Sequence, residues 1–383
     1  MQQTSPVMPP LPRRPEEISG IFDWFQAARE SHPVVLDERG GAPWWHVFGY
    51  EDVARVLTDH TRFSSKVPWF ERSPVSDTML VKDPPDHRKL RSLVNLAFTP
   101  RAVARLSDRV AVMTQELLDR VRAKGEMDVV SDLAAPLPSR VICEMLGVPE
   151  ADRDAVRQWS HFDGSGGGGM GSLRTYFREL LEERSRSPRE DLVSGLSTAE
   201  VDGERLGERD LVNFCILLFF AGHETTKNLI ANFFLTLSDH PDAQARLARE
   251  PALFPTAIEE VLRFLPPVWF LMRRTTEPVE LSGVRVPAGG LVMPWTASAN
   301  RDSTQFPEPD RFDVAREPNR HLGFGHGIHF CVGAPLTRME AAVALPMMLE
   351  QLRDVRVRRE RPIGIHAGIV FVITNLPVTF EPY

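Results

Sequence analysis

The stretch FGHGIHFCVG, Phe324–Gly333, follows Gly323 and sets two histidines and a cysteine among glycines at 323, 325, 327 and 333. The whole chain has only 3 cysteines, so a sulfur held in this company needs a reason. A free cysteine is often a small buried hydrophobe, which suits Cys143 and Cys215 in their apolar helical surroundings. Zinc is an option for Cys331, since His326 and His329 are close by. Structural zinc, however, wants four ligands in paired spacings, and no second pair is near. A nucleophile needs a basic partner and an oxyanion hole, and flanking glycines specify neither.

A fourth reading uses every feature of the stretch. Glycines open backbone turns closed to other residues. They also let the chain approach a large flat ligand and aim N–H groups at the sulfur. A helix follows at Pro335 and Leu336, and its positive end favours a thiolate. A thiolate as axial ligand is the haem arrangement that drives electron density toward O–O cleavage.

Outward from this loop the periodicity is mostly helical. On the C-terminal side a helix is predicted over about Thr337–Leu352, and GIVFVITNLPVTF reads as strand. On the N-terminal side VELSGVRVP and GLVMPW read as short strands, PTAIEEVLRFL as a helix, and a long helix runs from about Glu208 through His240. Further helices are predicted over Ser139–Met145, Arg101–Lys124, DHRKLRSLVNLAFTP (stopping at Pro100), YEDVARVLTDH and Ile21–Ser31. PVVLDE and WWHVFGY form two strands around the turn signal RGGA. Residues 1–20 read as an extended lead.

Length and composition bound the rest. The 383 residues are 42% hydrophobic and 25% charged, as in a soluble globular protein with a large core. A net charge of −7 argues against nucleic acid as a partner. Scattered cysteines make no disulfide framework and point to a reducing compartment. The lead has no signal-peptide core, and the longest apolar run, FCILLFFAG, falls short of the ~20 residues of a membrane span. These features predict a cytoplasmic protein with no membrane anchor.

On the cysteine loop the chain resembles the cytochrome P-450 superfamily. FGHGIHFCVG meets its haem signature, F-G-x-G-x-H-x-C-x-G, at every defined position, and further elements occur in the family's order. The resemblance implies a mainly α fold with small β-sheets, a triangular helical bundle around a buried haem, as one domain over 1–383. It implies haem b (iron protoporphyrin IX) on Cys331, with Phe324, Gly325, His329 and Gly333 around it. His87 and Arg91 in DHRKLR, Arg273 in MRRTTEPVEL and His329 resemble the family's propionate partners, cationic and N–H donors suited to buried carboxylates. EEVLR supplies Glu260 and Arg263, one helix face, and FPEPDRFD supplies Arg311. In the family, such an arginine joins the pair in a buried charged triad.

LLFFAGHETTKNL resembles the family's oxygen-activating motif. Ala221 and Gly222 leave room for O2 and water. Thr225 can divert a local backbone hydrogen bond, and Glu224 can relay the protons that O–O cleavage consumes. Lys227 lies about 200° around the helix from Thr225, which predicts a partner on another helix.

By position in the family, substrate faces Trp69, Phe70, Leu217, Leu218, Val268, Trp269, Phe270, Val370 and Phe371, an apolar and aromatic set that implies a sizeable hydrophobic small molecule. No flavin or iron–sulfur segment is present, so the resemblance implies electrons from a ferredoxin-type donor with its reductase, docking near Arg88, Lys89 and Arg338. The expected activity is hydroxylation or epoxidation in natural-product (macrolide or polyketide) biosynthesis, by a monomer. A haem-thiolate gas sensor would not need Glu224 and Thr225, and peroxide-using relatives tend to lose that pair. DGSGGGGMGSL, Asp163–Leu173, stands where the family carries a helical lid. Four successive glycines, each costing about 1 kcal/mol against alanine in a helix, argue against a helix there. Residues 163–172 therefore read as a shortened, Gly-rich lid connection.

Overall fold

In the computed structural model, which describes residues 7–70, 76, 78–159, 168–201 and 204–381, the extended lead ends at Arg14. Pro15 starts a 3-10 turn, Pro15–Glu17, that runs straight into α1, Ile18–Ser31. Proline presets the helical φ, and Arg14 pairs with Glu17 at 2.6 Å. The strands β1 (Val34–Asp37) and β2 (Trp44–Val47) form the expected antiparallel pair. Next come α2 (Tyr50–Thr58), β3 (Phe63–Ser64) and α3 (Asp86–Ala97). The one helix predicted over Arg101–Lys124 is two, α4 (Pro100–Ala104) and α5 (Ser107–Val121). Thr99 caps the first by accepting from Ala102 N at 3.1 Å, and Leu106 N then bonds Val103 O, a 3-10 step that breaks the α-period.

β4 (Glu126–Asp128) leads to α6 (Pro136–Leu146), three residues longer at its start than predicted because proline is at home at a helix N-terminus. α7 spans Arg153–Trp159 and α8 spans Gly168–Arg186. The start of α8 corrects the reading of the glycine stretch. Gly168, Gly169 and Gly171 are helical, because a first turn has few intrahelical bonds to lose and the amphipathic segment behind it carries the helix. A side chain at Gly169 would overlap the carbonyl of Trp159, so the end of α7 and the start of α8 meet where only glycine fits. Residues 163–167 of that stretch lie outside the described residues.

The remaining elements are α9 (Leu192–Thr198), the hairpin β5 (Glu200–Val201) and β6 (Glu204–Arg205), α10 (Glu208–Asp239), α11 (Pro241–Arg249) and α12 (Phe254–Phe264). After them come β7 (Arg273–Thr275), the hairpin β8 (Val279–Leu281) and β9 (Val284–Val286), β10 (Leu291–Pro294), α13 (Thr296–Ala299) and α14 (Ala334–Gln351). The chain closes with β11 (Arg353–Val357), β12 (Ile365–Ala367), β13 (Phe371–Ile373) and β14 (Pro377–Glu381).

Helices carry the core and the sheets flank it. The largest sheet is mixed, in the order β1-β2-β10-β7-β3, with β2 and β10 parallel. A second sheet runs β11-β14-β4. At 32 residues α10 is about 48 Å long, and it packs on α6, α8, α12 and α14. Buried Asn228 and Asn232 lock it to its surroundings: Asn228 accepts from Ile373 N at 3.2 Å, and Asn232 donates to Leu265 O at 2.8 Å. This rigid axis faces the cysteine loop across a cavity.

Candidate functional site

The cysteine loop is closed by its own backbone. Cys331 N donates to Phe324 O at 2.9 Å, and Gly325 N to Leu322 O at 2.9 Å. Gly325 and Gly327 both take left-handed φ, +72° and +70°, which other residues rarely adopt. The backbone of α2 also presses on Gly327, where a Cβ would meet Leu57 O at 2.8 Å. Burial pushes the Cys331 thiol up, against hydrogen bonds from the N–H groups of Gly333 and Ala334 and the charges of Arg91 and Arg338. These opposing donors suit a sulfur that a bound cation will deprotonate. The helix α14 begins at Ala334, three residues past the sulfur, so Pro335 and Leu336 lie in its first turn as expected. Among the described residues no group of three His, Cys, Asp or Glu side chains assembles around a common point.

Beside the loop, the structure brings His87, Arg91, Arg273 and His329 together. The rings of His87 and His329 lie 4.3 Å apart, and burial with the nearby positive charges of Arg273 and Arg91 presses both imidazoles toward the neutral form, His329 to about 3. Burial also lowers Arg273 to about 10, and among the described residues no carboxylate forms a salt bridge with it. Its Nη1 donates to Met272 O at 2.8 Å, while Arg91 Nη1 donates to Phe330 O at 2.7 Å. A desolvated cluster of donors and cations without a salt-bridged carboxylate among the described residues is unfavourable by itself. It fits a ligand bearing two carboxylates, as haem does. Ser65, absent from the sequence reading, sits 2.9 Å from His329 Nε2.

A cavity of about 250 Å3 lies between the loop and α10. Phe324, Cys331 and Val332 form one wall, and Leu218, Ala221, Gly222 and Thr225 the other. The result is a slot for a flat apolar ring with sulfur on one side and α10 on the opposite side. Gly222 has a packing reason to be small as well: a Cβ there would come within 3.0 Å of Ile142 on α6.

Along α10, Thr225 Oγ1 donates to Ala221 O at 2.8 Å and Thr226 Oγ1 to Gly222 O at 3.1 Å. Two successive hydroxyls thus load neighbouring carbonyls of the same turn. Thr226 also reaches Thr337 on α14 at 3.3 Å. Glu224 does not line the cavity. Its carboxylate is ion-paired with Lys227 and lies 3.7 Å from His223 Nε2. The expectation that Lys227 pairs with another helix is therefore wrong. An i,i+3 spacing on one helix puts the two side chains within reach, and burial of the lysine stem favours the nearest acid.

The substrate-facing set divides. Val268 lines the cavity, with Leu218 there and not Leu217. Trp69 is 71% exposed and outside it. Trp269 is buried and stacked on Phe371 at 4.8 Å, and Phe270 packs against Trp295 at 4.6 Å, so these rings build core behind the cavity. Val370 bridges Val268 as a single β-pair, and Phe70 is half-buried outside the lining. Leu80, Phe98, Ile142 and Leu271, which the sequence reading left out, supply the missing wall.

Glu260 and Arg263 are fully buried and joined by two hydrogen bonds of 2.8 and 2.9 Å. The third member is Arg316, whose Nε donates to Glu260 Oε1 at 3.1 Å. Arg311 is not in the triad. Its side chain turns out to Glu308, and only its backbone carbonyl accepts from Arg263, at 3.2 Å. Arg338, expected at a docking face, is held by Glu259 through two bonds of 2.7 Å and lies over Phe324. Arg88 is exposed, Lys89 is half-buried, and Phe330 beside the cysteine is 37% exposed.

Comparison with known proteins agrees with this geometry. The sequence model of the family described as Cytochrome P450 matches residues 11–148 and 169–379. The chain is 40% identical over 357 residues to the Cyclomarin C epoxidase CymV of Salinispora arenicola, covering 88% of this chain and 90% of that one. It is 38% identical over 379 residues to the Erythromycin C-12 hydroxylase of Saccharopolyspora erythraea, covering 94% of each. The solved structure of Cytochrome P450 CYP109Q5 from Chondromyces apiculatus superposes with a TM-score of 0.89 at 37% identity, over 96% of this chain and 97% of that one. Among the described residues no helix is long and apolar enough to cross a membrane.

Proposed function

The chain belongs to the cytochrome P450 family and is a monooxygenase, and from that premise we propose that it hydroxylates or epoxidises an uncharged, largely apolar natural product on a haem b ligated by Cys331. The lining of the cavity carries the substrate class. Leu80, Phe98, Leu218, Val268 and Leu271 present hydrocarbon, and no carboxylate, lysine or arginine side chain lines it among the described residues. The Thr296 hydroxyl at its edge is already committed to Val268 O at 2.9 Å. Such a lining selects by shape and apolar area. Relatives named for cyclomarin C and erythromycin support a macrolide or other complex natural product.

When bound, the haem supplies reductive activation of O2, with one oxygen atom entering the substrate and the other leaving as water with two electrons and two protons. The chain's own residues do the rest. Cys331 offers sulfur against the N–H groups of Gly333 and Ala334. His87, Arg91, Arg273 and His329 hold the propionates. Thr225 holds a hydroxyl in the cavity wall, and Glu224, one residue earlier, moves protons from solvent toward it once it leaves Lys227. Gly222 and Ala221 keep the wall flat. Electrons come from a ferredoxin-type donor with its reductase in the cytoplasm, and exposed Arg88 and Phe330 near the cysteine support a docking face there.

The test is spectroscopic. The reduced, carbon monoxide-bound protein should show the red-shifted Soret band of a thiolate-bound haem, and Cys331→His should abolish it. A panel of macrolide-type ligands should move the ferric spin state, whereas short fatty acids and charged amino acids should not. An imidazole-type spectrum in the wild type, or a spin shift only with charged ligands, refutes the proposal. Thr225→Ala should keep the spectrum and divert reducing equivalents to peroxide.

A further inference from the structure

Asp83 stands at the entry to α3 and belongs to no motif singled out from the sequence. Its carboxylate accepts from Ser64 Oγ at 2.5 Å and from Ser65 N at 2.9 Å, and its carbonyl accepts from His87 N at 3.0 Å. The Ser64 hydroxyl is held in turn, accepting from Lys66 N at 3.0 Å. Ser65, so fixed, places its Oγ 2.9 Å from His329 Nε2, 264 residues further along the chain. Asp83 therefore ties the end of β3 to the first turn of α3, through its carboxylate and its carbonyl, and Ser65 extends the link to the cysteine loop. Ser64 and Ser65 are both buried.

The electrostatics point the same way. Arg273 and His87 are buried side by side with His329, and the positive charges of Arg273 and Arg91, with His60 nearby, disfavour charge on both imidazoles. Asp83 is the acid whose charge acts in the favourable sense on both Arg273 and His87. It does so without a direct salt bridge to either among the described residues, so the Arg273 guanidinium is not committed to a protein carboxylate.

We propose that Asp83, acting through Ser64 and Ser65, is the positioning residue of the propionate end: it aims Ser65 at His329 and supplies a negative charge that keeps the cationic groups assembled around the cofactor's carboxylates. The proposal rests on the reading of His87, Arg91, Arg273 and His329 as propionate partners. A carboxylate behind the residues that hold a cofactor both orients them and offsets part of their charge toward the iron.

Two measurements on the holoprotein test it: the rate of haem transfer to excess apomyoglobin, and the ferric–ferrous potential. Ser65→Ala should release haem roughly tenfold faster than wild type, and Ser65→Thr, which keeps the hydroxyl, should stay near the wild-type rate. Asp83→Asn should also release haem faster, and loss of its negative charge should move the potential to more positive values than Ser65→Ala does. Wild-type release from Ser65→Ala overturns the proposal. So does an Asp83→Asn that loses haem faster with an unmoved potential, since a plain loop staple would behave that way. If Asp83→Asn takes up no haem, the comparison of Ser65→Ala with Ser65→Thr decides. Wild-type release from His329→Ala and Arg273→Ala is a different result, in which the propionate reading itself fails.

Discussion

Two helices carry an acid followed three residues later by a cation, and the two pairs live in different surroundings. Glu260 and Arg263 on α12 have no exposure in either side chain, whereas Glu224 and Lys227 on α10 keep 35% and 12%. Around the first pair, every group is used. Glu260 also accepts from Asp313 N, Arg316 and Asn319, and Arg263 donates to the carbonyls of Asn300, Pro309 and Arg311. Around the second, Glu224 has Lys227 and a distant His223. Equal spacing therefore makes a permanent joint in one place and a releasable one in the other. Burial decides, because a buried ion cannot exchange its partner for water, while a pair whose acid still meets water keeps that exchange and is worth about 0–1 kcal/mol. Glu340 on α14 supplies a third case, an acid that is buried with no salt-bridge partner among the described residues. Its Oε1 has no hydrogen-bond partner, and burial pushes its carboxyl up to about 8.

The largest effect expected from this comparison is at the buried joint. Glu260→Gln should destabilise the protein by about 3–5 kcal/mol, since it leaves Arg263 and Arg316 charged and short of a counter-ion. Denaturant unfolding, together with the yield of thiolate-type carbon monoxide complex, measures it. An equally stable Glu260→Gln would mean that the joint is not a charge-dependent one. Glu224→Gln, the same change at the other pair, should leave unfolding within about 1 kcal/mol of wild type. It should nonetheless slow product formation by about 10². If both variants unfold alike, the contrast in burial has no energetic meaning.

Glu340 gives an effect of intermediate size and of opposite sign. Its folded-state value of about 8 exceeds the ordinary 4.5, so the folded chain keeps a proton that the unfolded chain releases. That contribution to stability is full below about pH 4.5 and is lost as pH rises toward 8. Glu340→Gln, always neutral, should flatten the stability profile between those values and raise stability at pH 8 by about 1–3 kcal/mol. Thermal unfolding at pH 5 and pH 8 reads the difference, and parallel profiles for the two proteins would count against a buried neutral acid. A smaller change is due at Lys227. Lys227→Met frees Glu224 to turn toward Thr225, so the solvent deuterium isotope effect on turnover should fall while stability moves by less than about 1 kcal/mol. The smallest is at Arg311, where Arg311→Ala should stay within about 0.5 kcal/mol. Arg316→Ala should be several times worse, and a reversal of that order would restore Arg311 to the triad.

The ease with which each part could be read follows the range of the interaction behind it. The cysteine loop was legible because its glycines, its sulfur and the helix after it act within ten residues of one another. The span of α10 was legible because its apolar run and its polar motif share one helix. Arg311 was misread for Arg316 because both lie on an irregular segment, where no periodicity says which side chain turns inward. Trp269 and Phe371 were read as cavity residues because a sequence records that rings are apolar, not which face they cover. Their mutual stacking consumes the surface that a substrate would have touched.

By itself the sequence determined the glycine-flanked cysteine loop, the helical character of the chain and the position of the long central helix. Each of these depends on local order along the chain. Only the tertiary structure decided that Glu224 rests against Lys227, that Arg316 completes the buried triad, and that Asp83 reaches His329 through Ser65. Those are contacts between side chains whose separation in sequence, or whose rotation about a helix or loop, is set by packing. The physical reason is that burial and partner choice are properties of the assembled interior, and one acid–cation spacing acquires opposite roles according to how much water remains beside it.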